Sequence, residues 1–239
     1  MRSGRSIELR GRTLALREEL YVPAGSRLSV VGPGTLIGDD HCLIRAAGNN
    51  QRVELVNVTL VHCASPRRTE RREMGSVVYA LGKSHVSLRG CHLTSQQGFG
   101  VWAVQKARVE LSDGCVIHDC GRSGVVCFGQ PTVQLRNSEI ANAAMHGICA
   151  RGGSRVALAG TRVVDCGVRA IYAYHNVSLE LRNTSVTGTR DEYGAAVQVE
   201  ALRAGDQCEL LMDESCRLAG NRGAGLVVKG DVVVHDGGS

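Results

Sequence analysis

Three thiols, a histidine and an aspartate lie within thirteen residues of the sequence and could bind a metal or carry redox chemistry. They are Cys115, His118, Asp119, Cys120 and Cys127, in the segment CVIHDCGRSGVVC. Thiolate, imidazole and carboxylate groups are the usual ligands of zinc, which needs several of them at fixed distances around one point. Whether this segment can supply such a site depends on the elements that carry it.

The composition of the chain favours many short strands over helices. The 239 residues include thirty glycines, four prolines and only 3% aromatic residues. This balance suits strands joined by tight turns. The ten cysteines occur in a chain that is long enough to bury a core without disulfides and has no apolar run of membrane-spanning length. We therefore expect a cytoplasmic protein with reduced thiols, a mild basic charge and no membrane segment.

The sequence repeats itself with a period close to 23 residues. Well-matched copies begin at Val86, Val109, Val133 and Val156. Each contains V-x-L, then a small residue two positions before a branched apolar one, then G-V/I-x-A/C. Alternation with a period of two indicates strands, and three strands per copy without a helical segment indicate a chain that coils on itself. The predicted fold is all-β, a single right-handed parallel β-helix of about nine coils with three short strands per coil.

The same repeat divides the chain into three regions of one domain. Residues 1–52 fit the pattern less closely and are predicted to form N-terminal coils and a cap. Residues 53–230 are predicted to form the regular coils, and residues 231–239 a partial coil.

The repeat also gives an interpretation of the cysteines. Cys115 aligns with Ser138 and Thr161, and Cys120 aligns with Ala143, so small residues replace one another at these positions. A metal site would instead gather its ligands at one point. Because a free cysteine behaves as a small buried hydrophobe, we predict that these side chains pack in the interior and that the protein binds no metal and no cofactor. Asp119 and the aligned Asn142 and Asp165 are predicted to stabilise turns.

The pattern C/S-x-I-x-D/N-C, followed by G-V/I-x-A/C, resembles the β-helix repeats of the pectate-lyase-like superfamily. Within it, the repeats most resemble the CASH type, which occurs in F-box-linked β-helix modules, in cell-division adaptor proteins and in sugar-acting enzymes. The resemblance covers residues 53–230 well. It implies the fold but not the function, because lyases, hydrolases, epimerases and non-catalytic binding proteins share this scaffold.

The resemblance implies that the outer face of the G-V/I-x-A/C strands is the binding surface. The outward residues are predicted to be Trp102, Val126, Cys149, Tyr172, Val197 and Val227, which make an apolar face with Trp102 and Tyr172 as its only aromatic anchors. Lys106, Arg151 and His175 are expected along one margin. The sequence therefore predicts a non-catalytic scaffold that binds a protein partner or a second copy of itself through this face.

A sugar-acting enzyme is the alternative, with catalytic candidates Asp119, Asp165, His146 and Arg169 around the preceding turn. Lyases and hydrolases of this fold place carboxylates on the outer face, and none is predicted there. Asp119 and Asp165 are two coils apart, at about 9 to 10 Å, because Asn142 occupies the coil between them. That separation is at the upper limit for a paired acid and base.

Two loop insertions are predicted to border the same face. One, ASPRRTERREMG, carries Arg67, Arg68, Arg71 and Arg72, and is either a solvated insertion or a docking site for an acidic partner. The other is TRDEYG, which has the segment EALRAGDQ on the opposite margin. A structural role in a particle or fibre and the binding of a carbohydrate without turnover both stay open, whereas a membrane or nucleic acid partner is not expected.

Overall fold

The computed structural model describes residues 4–39, 41–63 and 75–237, whose regular structure consists of twenty-four β-strands. The first coils contain β1 (Gly4–Glu8), β2 (Thr13–Leu16), β3 (Leu20–Val22), β4 (Arg27–Gly38), β5 (Ile44–His62) and β6 (Ser76–Arg89). The central coils contain β7 (His92–Ser95), β8 (Phe99–Gln105), β9 (Arg108–Ser112), β10 (Val116–Cys120), β11 (Val125–Gly129), β12 (Thr132–Arg136), β13 (Glu139–Ala141), β14 (His146–Arg151) and β15 (Arg155–Ala159). The last coils contain β16 (Arg162–Val164), β17 (Arg169–Tyr174), β18 (Ser178–Arg182), β19 (Ser185–Thr187), β20 (Ala195–Ala201), β21 (Cys208–Met212), β22 (Arg217–Ala219), β23 (Ala224–Gly230) and β24 (Val232–Asp236).

Each strand pairs in parallel with the corresponding strands of the coils before and after it, which produces three long sheets. Sheet A contains β1, residues 27–31 of β4, 52–56 of β5, 85–89 of β6, β9, β12, β15, β18, β21 and β24. Sheet B contains β2, residues 35–38 of β4, 59–62 of β5, β7, β10, β13, β16, β19 and β22. Sheet C contains β3, residues 44–49 of β5, 76–83 of β6, β8, β11, β14, β17, β20 and β23. The predicted β-helix of about nine coils is confirmed.

The core consists of the inward columns that the repeat predicts. Val133 of β12 pairs with Val109 and Val156, and all three are buried. Leu135 and Ile140 of the same coil are fully buried as well. Because the side chains of a strand alternate between its two faces, every second residue of each short strand enters the core.

The polar residues at the corner between sheets B and C have the backbone conformation predicted for turns. Asp119, Asn142 and Asp165 have φ values of 52°, 52° and 54°. Asparagine and aspartate tolerate this left-handed conformation better than other non-glycine residues. The turn prediction for this column is therefore confirmed.

The predicted outward position of Val197 is wrong. Val197 pairs with Ile171 and Leu226, points into the core and is fully buried. Its neighbour Gln198 pairs with Tyr172 and occupies the outward position. The insertion TRDEYG precedes β20, and an error of one residue in counting across it transfers every side chain of the strand to the opposite face.

Candidate functional site

The outer face of sheet C carries one column of side chains along the whole rod. In coil order the column contains Tyr21, Arg45, Tyr79, Trp102, Val126, Cys149, Tyr172, Gln198 and Val227. A second outward column, two residues further along each strand, contains Val104, Phe128, Arg151, Tyr174, Glu200 and Lys229. We call these two columns, together with Phe99, Arg122 and Arg169 at or just before the start of their strands, the aromatic–arginine face. The prediction that the face is apolar is wrong, because arginines and a glutamate lie among its rings.

The aromatic residues of the protein are concentrated at this face. The chain contains one tryptophan, five tyrosines and two phenylalanines. All of them lie on strands of sheet C except Tyr193, which lies in the loop that leads into β20. Trp102 and Tyr172 are therefore not the only aromatic anchors: Tyr79 pairs directly with Trp102, and their rings meet edge to face at 6.4 Å.

Four arginines stack on rings of this face or its border. Arg45 lies 5.6 Å from the ring centre of Tyr79, and Arg122 lies 5.4 Å from that of Phe99. Arg151 lies 4.2 Å from the ring centre of Phe128, and Arg169 lies 4.7 Å from that of Tyr172. A guanidinium over an aromatic ring is attracted by the negative face of the ring. Each arginine is thus held near one ring.

A hydrogen-bonded cluster surrounds Tyr172 at the C-terminal part of the face. The Tyr172 hydroxyl donates to Glu200 Oε2 at 2.7 Å, and Gln198 Nε2 donates to Glu200 Oε1 at 2.5 Å. Arg169 Nε donates to Gln198 Oε1 at 2.5 Å, and Lys229 Nζ lies 3.2 Å from Glu200 Oε1. Glu200 is 5% exposed. The cluster therefore holds a buried carboxylate on a face where the sequence predicts none.

The protonation states of the cluster follow from burial and from these contacts. Burial would raise the pKa of Glu200, but the hydrogen bonds from Tyr172 and Gln198 and the charge of Lys229 outweigh it and hold the pKa below its usual value. Burial and the bond to Glu200 raise the pKa of Tyr172. Burial and the charge of Arg169 lower the pKa of His146 to about 4. At neutral pH the cluster therefore contains an ionised Glu200, a protonated Tyr172 hydroxyl and a neutral His146.

The structure brings together two of the four alternative catalytic residues. His146 pairs with Arg169 on adjacent strands, and its ring centre lies 5.5 Å from that of Tyr172. The buried His146 Nδ1 has no hydrogen-bond partner in the structure as described. Asp119 instead lies at the corner between sheets B and C, where it accepts hydrogen bonds from His118 at 2.8 Å and from Asn142. These bonds hold the pKa of Asp119 below its usual value.

The second aspartate of that set belongs to the same corner as Asp119. Arg190 of the TRDEYG insertion donates to the backbone oxygen of Asp165 at 2.8 Å and to Asn142 Oδ1 at 2.9 Å. Neither Asp119 nor Asp165 forms a hydrogen bond or ion pair with His146 or Arg169 in the part of the chain that the structure describes. The insertion therefore crosses the aspartate column, and the two aspartates are not in direct contact with His146 or Arg169 among the described residues.

The margin residues have different environments. Arg151 is an exposed member of the second column, and Lys106 is exposed beside a groove of about 460 Å³. That groove is lined by Asn49, Gly82, Lys83, Gln105, Lys106, Gly129 and Gln130. His175 donates from Nδ1 to Asp206 Oδ2 at 2.6 Å, where Asp206 belongs to the EALRAGDQ segment. Arg67, Arg68, Arg71 and Arg72 lie outside the described residues.

The cysteines of the opening motif pack in the core, as predicted. Cys115, Cys120 and Cys127 are at most 2% exposed, and all ten cysteines are unpaired thiols. Cys91 lies directly beside Cys115, and its backbone nitrogen donates to Cys115 Sγ at 3.3 Å. The interaction between the two buried thiols lowers the pKa of Cys115 and raises the pKa of Cys91. Within residues 4–39, 41–63 and 75–237, no three His, Cys, Asp or Glu side chains are grouped as metal ligands would be.

Sequence reasoning missed Glu200 and Gln198 because it placed Val197 on the outside of β20. The strand AAVQVEA has apolar residues at alternate positions, and Val197 and Val199 are both fully buried. That alternation by itself assigns Gln198 and Glu200 to the opposite face. Tyr79 could have been found from its alignment with Trp102.

A comparison with protein-family models agrees with this architecture. Residues 43–202 match the model described as the right-handed β-helix region. The chain belongs to this family. The predicted right-handed β-helix is thereby confirmed. No curated protein is similar enough in sequence to count as a relative.

Two solved structures are similar to this chain, at low sequence identity and low TM-score. The A-module of the mannuronan C-5 epimerase AlgE4 from Azotobacter vinelandii is 11% identical, with a TM-score of 0.36, over 97% of this chain and 89% of that one. The catalytic domain of a GH87 α-1,3-glucanase, solved in complex with nigerose, is 8% identical, with a TM-score of 0.30, over 96% of this chain. This chain covers 61% of that domain. These values are too low to extend either activity to this β-helix.

In the described residues no helical segment has the length and hydropathy needed to cross a lipid bilayer.

Proposed function

We propose that this β-helix is a non-catalytic scaffold that binds a protein partner through the aromatic–arginine face. The observation that supports the proposal is the concentration of nearly all aromatic residues on the strands of one sheet. Sheets A and B have none on their strands. Packing of the core does not explain this distribution, because Tyr79, Trp102 and Tyr172 point outward and are only half-buried.

The composition of the face is that of a protein-binding surface. Tyrosine, tryptophan and arginine are the residues that most often dominate binding energy at protein interfaces, while lysine, aspartate and glutamate are depleted there. The half-buried rings of Tyr79, Trp102 and Tyr172 also lose little conformational freedom on binding, because they are already packed against neighbours at 4.7 to 6.4 Å. Ring contacts fixed in this way reduce the entropic cost of association.

The test is capture of partners by the immobilised 239-residue chain, followed by mass spectrometry. Trp102→Ala combined with Tyr172→Ala should abolish capture of the proteins that the unaltered chain retains, because both rings belong to the proposed contact surface. A control variant, Glu139→Ala with Arg162→Ala, removes an ion pair of sheet B and should retain them. Unaltered capture by the Trp102 and Tyr172 variant, at an unaltered melting temperature, would remove this face from consideration.

An enzyme acting on an acidic polysaccharide is the second candidate, favoured by the cluster around Tyr172. A neutral His146 can accept a proton, Arg169 can neutralise a substrate carboxylate, and the Tyr172 hydroxyl can donate a proton. These roles suit abstraction of a proton next to a carboxylate. They suit hydrolysis less well, since hydrolysis of a glycosidic bond uses two carboxylates about 5 to 9.5 Å apart and the cluster supplies one.

This candidate is tested by incubating the protein with oligomers of mannuronate, guluronate and galacturonate and following chain length and sugar configuration. An enzyme would convert at least one of them, and Tyr172→Phe would abolish turnover because it removes the hydroxyl that contacts Glu200. Tyr174→Phe is the matched control, since the Tyr174 ring stacks on Tyr172 at 4.7 Å outside the hydrogen-bonded cluster. Absence of conversion of all three substrates would count against this candidate.

A further inference from the structure

The cations of the aromatic–arginine face are only partly neutralised by the carboxylates beside them. Glu19 accepts a hydrogen bond from Cys42 at 3.1 Å and lies 3.4 Å from Arg45. Glu200 is held by Tyr172, Gln198 and Lys229. Arg122, Arg151 and Arg169 form no ion pair with any described residue. The carboxylates of the face are thus already in use, and three guanidinium groups still carry an unbalanced charge.

Glutamates accompany three of the arginines of sheet A. Arg89 pairs with Glu54, Arg108 Nε lies 2.6 Å from Glu110, and Arg182 Nε lies 2.5 Å from Glu180. All three of these arginines are exposed. Arg52, Arg136 and Arg155 of sheet A are also exposed and form no ion pair with a described residue, so the aromatic–arginine face is distinguished by unpaired guanidinium groups that lie against aromatic rings.

We infer that the partner of this face is an acidic protein segment with apolar residues between its carboxylates. The inference rests on the proposed binding function and adds the chemistry of the partner. Arginine guanidinium groups bind carboxylates in a planar, two-pronged geometry. The positions between the stacked arginines are occupied by Trp102, Val126 and Cys149, which offer contacts to apolar side chains.

The spacing of the arginines defines the spacing of the acidic residues. Arg122 and Arg169 are carried by coils that are two apart, which corresponds to about 10 Å along the rod. An extended peptide covers that distance in about three residues. Arg151 belongs to the coil between them and lies to one side, in the second column. A segment with two acidic residues about three positions apart, separated by apolar residues, matches this arrangement.

A protein segment matches the face better than a sugar chain or a single-stranded nucleic acid does. Sugars and bases bind aromatic residues by stacking on the flat face of a ring. Here Arg122, Arg151 and Arg169 already lie over the rings of Phe99, Phe128 and Tyr172. Arg151 is exposed, and Arg122, Arg169, Val126 and Cys149 are half-buried, so their accessible parts suit carboxylate and aliphatic side chains.

The test begins with selection of random twelve-residue peptides on the intact 239-residue chain at low salt. The selected peptides should be enriched in aspartate and glutamate flanking apolar residues, and their affinity, measured by fluorescence anisotropy, should fall as salt is added. The variant Arg122→Gln, Arg151→Gln, Arg169→Gln should weaken binding by at least about tenfold. The matched variant Arg89→Gln, Arg108→Gln, Arg182→Gln loses the same charge from sheet A and should change affinity less than about twofold.

Several outcomes would overturn the inference. One is a selection without acidic peptides, and another is equal loss of affinity in the two arginine variants. A third is displacement of the peptide by oligomannuronate or oligothymidylate at lower concentration than by unlabelled peptide, which would indicate a polysaccharide or nucleic acid site. If Trp102→Ala with Tyr172→Ala abolishes binding while the first arginine variant does not, the inference fails and the proposed function stands. If neither variant changes binding, both fail.

Discussion

His146 is a buried histidine that stays neutral under physiological conditions. It is 9% exposed and lies beside the positive charge of Arg169. Both its burial and that charge disfavour the protonated ring, so its pKa falls from 6.5 to about 4. The folded protein therefore binds a proton at His146 only at a lower pH than the unfolded chain does.

This residue is expected to make stability depend on pH between about 6.5 and 4. In that range the unfolded state binds a proton at His146 and the folded state does not, so the free energy of unfolding should decrease as the pH falls. Urea denaturation at pH 7.5, 6, 5 and 4 measures the effect, and His146→Gln should reduce the decrease. His92→Gln, at an exposed position, is the control and should leave it in place. An identical pH dependence for His146→Gln and the unaltered protein would contradict the prediction.

The strands of sheet C begin at a corner where neighbouring coils approach closely. A β-carbon added at Gly124 would lie 2.6 Å from Ile140 Cγ2 and 2.8 Å from the backbone oxygen of Gly147. At the equivalent position of β23, a β-carbon on Gly225 would meet only Leu218, at 3.5 Å or more. The G-V/I-x-A/C pattern aligns the two glycines, but the close approach exists at Gly124 and not at Gly225.

Gly124→Val should therefore destabilise the fold by about 1 to 3 kcal/mol, since the extra atoms overpack a closed corner. Gly225→Val should cost clearly less, because its corner has room. Thermal denaturation of the two variants side by side provides the measurement. An unaltered melting temperature for Gly124→Val, or an equal loss for both, would contradict the packing described for this corner.

The elements show which features the sequence could predict and which it could not. Columns such as Val109, Val133 and Val156 were predictable because the hydrogen-bonded register of one coil is copied onto the next. The register of β20 was not recovered, because an insertion precedes it and only a residue-by-residue reading of its alternation assigns Gln198 outward. The hydrogen bond between Tyr172 and Glu200 joins residues 28 apart in sequence. A repeat pattern does not predict the rotamers that bring these side chains together.

At the scale of the whole molecule, each coil contacts mainly the coils next to it. Arrays of this kind gain stability from interfaces between neighbours and not from a single central core. Burial differs along the rod: β14 has four buried residues among its six, whereas β24 has none among its five. Resistance to local opening is therefore expected to vary from coil to coil.

Hydrogen exchange of the 239-residue chain should reveal this gradient. Backbone amides of β11, β14 and β17 are expected to exchange more slowly than those of β22, β23 and β24, since local opening requires less free energy where fewer apolar side chains are buried. Mass spectrometry of peptic fragments after exchange in D₂O measures the difference. Uniform protection over all coils would instead indicate a single cooperative unit.

Because neighbouring strands have a constant separation, side chains on successive coils are spaced in steps of about 4.8 Å. Insertion of one further coil of about 23 residues between β12 and β15 would lengthen the distance between Trp102 and Tyr172 by one such step. Neither ring nor the strand that carries it would change. Chemistry and distance can thus be varied separately in this architecture. A family of such chains could recognise partners with the same kinds of side chains at different spacings by gaining or losing whole coils.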